Sequence, residues 1–233
     1  MLKDSPFRAA ARDAGAVWLG MFTLGVGLGV LVTSHDLPWW LAPVISGTIY
    51  AGSVEFLLIG MLATAAPISV IALTTLLVNS RHVFYGLAFP LHRVRRWGKA
   101  YSVFALTDEA YALLSHHDPE TLPSARILWT QVGLYLSWVG GGTSGAIIGA
   151  AFLADIKGLD FILTALFVVL AMDAYRRQPD NLTVTLSLGM AALALLFAAN
   201  AMLMVAMTGF CLAAVIRHGV QRSRAKTRLH NHV

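Results

Sequence analysis

Arg81 and His82 stand inside an apolar run, in Asn79-Ser80-Arg81-His82-Val83-Phe84-Tyr85-Gly86. A charged side chain near the centre of a bilayer costs roughly 3 kcal/mol, so it faces a polar cavity or an ionic partner and marks a functional site. An arginine fork binds both oxygens of a carboxylate, and a histidine exchanges a proton near neutral pH. On a helix Arg81 and Tyr85 are four apart, while Asn79, His82 and Tyr85 form a three-residue ladder, so all share one face. The alternative is that Arg81, late in its segment, lays its stem in lipid and its head in interfacial water.

Two other stretches carry the opposite sign. Glu55 lies midway through an apolar segment in Tyr50-Ala51-Gly52-Ser53-Val54-Glu55-Phe56. Gly52 and Ser53 are the small residues that an unwound helix break needs. Its freed carbonyls and half-helix ends can coordinate an amine, a carboxylate or a proton. A continuous helix with Glu55 paired to Arg81 or His82 is the structural alternative. Asp108 and Glu109 are adjacent, so on a helix they diverge by about 100°. Thr107 and Tyr111 share a face near Asp108, so one carboxylate pairs while the other caps or titrates. Alternatively, both belong to a solvated interfacial helix.

The elements that must position these groups are membrane helices. Of 233 residues, 57% are hydrophobic and 12% charged, about half the charged fraction of soluble domains, and the mean hydropathy is +0.68. The apolar runs lack a two-residue alternation, which excludes barrel strands. A span needs about 20 apolar residues, and that ruler selects residues 14–33, 40–62, 67–88, 127–152 and 159–175. The uncharged run 182–216 would measure about 52 Å as one helix, so it folds back near Asn200 into two spans. The expectation is an all-α polytopic bundle of about seven spans, with residues 101–114 as a further half-length or re-entrant helix. It forms a single membrane domain over 14–216, between an N-terminal segment 1–13 and a basic cytoplasmic tail 217–233.

Lys3, Arg8 and Arg12 precede 14–33, which is too long for a cleaved signal core, so a retained anchor is expected. The net charge of +5 resides in flanking clusters, Arg93 to Lys99 and Arg217 to Arg228, which mark cytoplasmic ends rather than a nucleic-acid surface. Arg176-Arg177 and the tail fall on the same side. With 93–99 also inside, three full spans would put the N-terminus outside, against its own cations. Either one segment between 40 and 88 is a broken, re-entrant pair of half-helices, or 101–114 crosses fully.

Ser137, Gly141, Gly145 and Gly149 recur every four positions, as do Gly25 and Gly29, a spacing for close helix packing. Gly25 and Gly29 match Gly145 and Gly149 at a constant offset, and an inverted repeat is one reading. The lone Cys211 reads as a packing residue. His116-His117-Asp118 has no third convincing ligand, so no metal or other cofactor is expected. Gly142-Thr143-Ser144-Gly145 matches the Gly-x-Ser-Gly pattern of rhomboid-like proteases, but the later histidines, His218, His230 and His232, lie in or beside the tail, so no membrane-embedded base follows Ser144. A hydrolase using Ser144 and a non-transporting scaffold subunit are the alternatives to a polar transport path.

YAGSVEF at 50–56, LLVNSRHVFYGLAF at 76–89 and FALTDEAYALL at 104–114, in this order and spacing, resemble the AzlC family, the large subunit of bacterial branched-chain amino acid exporters. The resemblance implies a two-component exporter at the inner membrane, paired with a small hydrophobic subunit of the AzlD family. Leucine, isoleucine, valine and methionine are the implied cargo. Some relatives carry Gln at the position of Glu55. No Walker A loop occurs, so the chain itself holds no ATPase, and proton coupling is the expected drive. On this reading Arg81 holds the substrate carboxylate. Glu55 or Asp108 meets the ammonium or alternates between proton and substrate. His82 assists protonation, and Asn79 with Tyr85 completes the hydrogen bonding.

Overall fold

A computed structural model describes residues 5–115, 117, 122–152, 168, 171–172, 175–176, 179–197, 202, 205–206, 208–210, 212–213 and 217, without the side chains of Arg81, Phe84, Leu87 and Ala88. All regular structure among them is helical. The chain groups into two compact units, residues 1–67 with 78–166, and residues 68–77 with 167–233.

The first unit is built on two long helices, α1 (Pro6–Ser34) and α8 (Ser124–Phe152), each of 29 residues. Helix α1 starts where Ser5 Oγ accepts from the Arg8 amide and Pro6 takes the first turn, the usual use of a capping hydroxyl and of a residue with no amide to satisfy. Its length and apolarity suffice to cross a membrane. The two helices meet backbone to backbone through glycines. A Cβ at Gly25 would stand 2.6 Å from the Trp138 carbonyl, and one at Gly29 would collide with the Gly142 carbonyl and the Ala146 amide. From the other side, Gly141 and Gly145 face the carbonyls of Phe22 and Val26. Trp18 lies on Gly133 and donates Nε1–H to the Thr130 carbonyl at 3.2 Å. At the same end Arg126 pairs with Asp13, and its Nη2 stands 2.7 Å from His117 Nε2. His116 and Asp118 lie outside the described residues.

In the chain between α1 and α8 come short helices: α2 (Leu41–Thr48), α3 (Ser53–Ala63), α4 (Ile68–Asn79), whose residues 68–77 belong to the second unit, α5 (Arg81–Ala88), α6 (Arg96–Phe104) and α7 (Asp108–Ser115). The apolar segment 40–62 is thus a pair of half-helices. Residues 67–88 divide at Ser80, whose backbone stays in the right-handed helical region. Residues 101–114 are not one half-length helix, a correction to the sequence expectation. Helix α6 ends at Phe104, and Thr107 starts α7 afresh by accepting the Ala110 amide on its Oγ1 at 3.4 Å.

In the second unit, helix α9 (Asn181–Phe197) is capped by Asp180, whose Oδ1 accepts from the Leu182 and Thr183 amides at 3.1 and 3.2 Å. Arg217 returns to the same place, reaching Asp180 Oδ2 and Thr183 Oγ1 at 2.7 Å each, and Gly209 faces Met190. Asp180 and Arg217, which flank the run 182–216, thus meet. Asn200 and Cys211 lie outside the described residues, as does most of 159–175. Helix α9 turns Leu188, Leu193, Leu195, Leu196 and Phe197 outward, each at least half exposed. Outward leucine at that density suits lipid as the surrounding solvent.

Candidate functional site

The first break falls between α2 and α3. Tyr50 has φ +48° and Gly52 φ +29°, left-handed backbone that glycine tolerates and tyrosine adopts only when its surroundings hold it. The Tyr50 ring is held, packed on Tyr135 at 5.1 Å and on Phe104 at 5.9 Å between centroids. Gly52 is the residue before α3, and Ser53, half-buried, is its first residue. Glu55 follows in the first turn, where a carboxylate complements the helix dipole. It is fully buried. Its Oε1 accepts the Ala51 amide at 2.7 Å, and Trp138 Nε1–H lies 3.2 and 3.1 Å from the two oxygens.

The second break, residues 105–107, lacks the positive-φ backbone of the first. Asp108 and Glu109 occupy the first turn of α7, and they do diverge. Asp108 Oδ1 stands 3.7 Å from His82 Nε2. His82 Nδ1 lies 3.2 Å from the Asn79 carbonyl, which fixes the proton on Nδ1 and turns Nε2 to the carboxylate. The His82 ring packs edge-on to Tyr85 at 5.7 Å, and Tyr85 stacks on Tyr111 at 4.8 Å. Asn79 Oδ1 is buried without a hydrogen-bond partner among the described residues. Glu109 instead lies in electrostatic reach of the Tyr50 hydroxyl, together with Tyr101 and Glu55, and Thr107 hydrogen-bonds that hydroxyl.

Helix α8 supports both breaks with side chains that the sequence reading passed over. Gln131 Nε2 donates to the carbonyls of Ser102 and Ala105 at the end of α6, at 2.9 and 3.2 Å. Tyr135 donates its hydroxyl to the Gly47 carbonyl near the end of α2 at 2.9 Å, and Trp138 holds Glu55. Helix ends leave four carbonyls unsatisfied; this one face meets three of them. The spacing 131, 135, 138 on an otherwise apolar helix was the available signal.

Of the residues singled out from sequence, His82 on α5 meets Asp108 on α7, with Tyr85 packed on its ring and the Asn79 carbonyl at the end of α4 on its Nδ1. Gly52, Ser53 and Glu55 form the other break, and Glu55 meets Trp138 rather than His82. The side chain of Arg81 lies outside the described residues. Ser144 is half-buried on α8, and its three downstream histidines lie outside the described residues.

The chain matches the AzlC protein family over residues 16–152, from within α1 to the end of α8 and across both breaks. It is 30% identical over 207 residues to the branched-chain amino acid transport protein AzlC of Bacillus subtilis, covering 86% of this chain and 81% of that one. The chain belongs to the AzlC family. Other relatives of this AzlC-family protein are the inner membrane protein YgaZ of Escherichia coli, 30% identical over 92% of this chain and 91% of that protein, and a membrane protein of Helicobacter pylori strain J99, 29% identical over 90% and 94%. No solved structure matches it.

Proposed function

We propose that this AzlC-family protein is the large subunit of a secondary exporter that moves leucine, isoleucine, valine and related small apolar amino acids out across the bacterial inner membrane in several spans, coupled to protons. The supporting observation is the pair of broken helices in one unit, each presenting a carboxylate in its first turn, braced by the same face of α8. A zwitterion crossing lipid needs fixed partners for both charges, and half-helix ends supply them without moving a full charge into hydrocarbon. Arg81, at the start of α5, takes the substrate carboxylate, and Asn79 and Tyr85 complete its hydrogen bonds. Asp108 with His82 exchanges the proton. Glu55 or Asp108 faces the ammonium. An AzlD-family subunit completes the complex.

Counterflow of labelled leucine in vesicles, with and without that small subunit, tests the reading. Arg81→Ala should abolish exchange while membrane insertion stays intact. Wild-type exchange by that variant removes Arg81 from the path.

A further inference from the structure

Gln131 is fully buried, and while its Nε2 serves two carbonyls, its Oε1 has no hydrogen-bond partner among the described residues. The same holds for Ser102 Oγ and Tyr101 Oη, and the buried Tyr50 hydroxyl, which Thr107 meets, stands beside them. These atoms belong to one neighbourhood. Tyr101 and Ser102 are consecutive on α6, and the Gln131 amide touches the Ser102 carbonyl. Tyr135, one turn past Gln131, faces the Tyr101 ring at 6.5 Å and the Tyr50 ring at 5.1 Å. Each unsatisfied polar atom carries a desolvation penalty, and a fold that gathers three of them beside the Tyr50 hydroxyl holds a place for a polar group.

The chemistry of the group follows from sign and donor count. Gln131 Oε1 only accepts, and the three hydroxyls accept as readily as they donate. The carboxylates in reach of Tyr50 are Glu109 and Glu55, which repel an anion and attract a cation. Tyrosine ring faces add to that attraction. Phe104, packed on both Tyr50 and Tyr135, is 42% exposed.

We propose that Tyr50, Tyr101, Ser102 and Gln131, gathered around Tyr135 between the two helix breaks, form the subsite for a primary ammonium group. Resting on the exporter reading, it assigns the amino end of the substrate to this cluster rather than to Glu55, whose oxygens already serve Ala51 and Trp138. Glu109 supplies the balancing charge.

Two half-substrates separate the ends of leucine: 3-methylbutylamine lacks the carboxylate, and 4-methylpentanoate lacks the amine. Both should inhibit leucine counterflow in wild-type vesicles. Tyr50→Phe with Tyr101→Phe keeps the rings and removes two acceptors. Inhibition by the amine should then weaken about tenfold or more, with inhibition by the acid unchanged within about twofold. Ser102→Ala, a milder change, should move the amine in the same direction. Equal weakening of both inhibitors, or of neither, overturns the subsite. Binding of 3-methylbutylamine to the purified chain is measured alongside. If wild-type vesicles exchange no leucine yet amine binding depends on these hydroxyls, the exporter reading fails and the subsite stands. If the amine binds neither protein, the subsite fails.

Discussion

Trp138 is the side chain that makes a buried Glu55 tolerable. A carboxylate removed from water needs donors on both oxygens, and the indole N–H spans the two while the Ala51 amide completes Oε1. Trp138→Phe keeps a ring against Phe56, now 6.0 Å away and edge-on, but removes the donor. The expected cost is about 1–3 kcal/mol, read as a lower Tm of the purified protein; an unchanged Tm would show Glu55 to be held otherwise. Asp180 is a contrasting carboxylate, on the connection before α9. Hydrogen bonds from Arg217 and then Thr183 lower its pKa to about 2. Lowered in the folded state, it contributes stability above the ordinary carboxylate range near ~3.9, and that contribution is lost as pH falls toward about 2. Carbon NMR of the Asp180 carboxyl should show this low midpoint, and Arg217→Gln should raise it. A midpoint in the ordinary range in the unaltered protein contradicts the pair.

Helices α1 and α8 owe their contact to absent side chains. Gly29→Ala forces a methyl into the Gly142 carbonyl, whereas a Cβ at Gly27 on the same helix would meet nothing within 4 Å. Gly29→Ala should cost about 1–3 kcal/mol by overpacking and Gly27→Ala almost nothing, measured by thermal unfolding in detergent. Equal effects would mean that helix propensity, not the interface, governs both. The glycine spacing was readable in the sequence because close approach admits no Cβ. The break before Glu55 was readable for a related reason, since Gly52 sits where the backbone turns left-handed. The break before Asp108 was not. Ala105-Leu106-Thr107 contains no helix breaker, and the interruption comes from Thr107 capping forward and Gln131 drawing the α6 carbonyls toward α8. That contact joins residues far apart in sequence, and no local pattern encodes it.

Across the molecule, both breaks answer to one face of α8, whereas for the run 182–216 length alone said only that about 52 Å of helix overshoots a bilayer. The grouping of polar residues was only partly legible. Spacing put Asn79, His82 and Tyr85 on one face, and of these His82 stands beside Asp108, but Glu55 went to an indole that an apolar helix concealed. The central claim is that the paired breaks with their ionisable groups carry an amino acid through the membrane. The most direct measurement is labelled-leucine counterflow in vesicles holding the full chain and its small subunit, comparing the unaltered protein with Asp108→Asn. Saturable exchange that falls at least about tenfold in the variant, with equal amounts of protein in the membrane, is the predicted result; equal exchange by both, or none by either, would contradict the account.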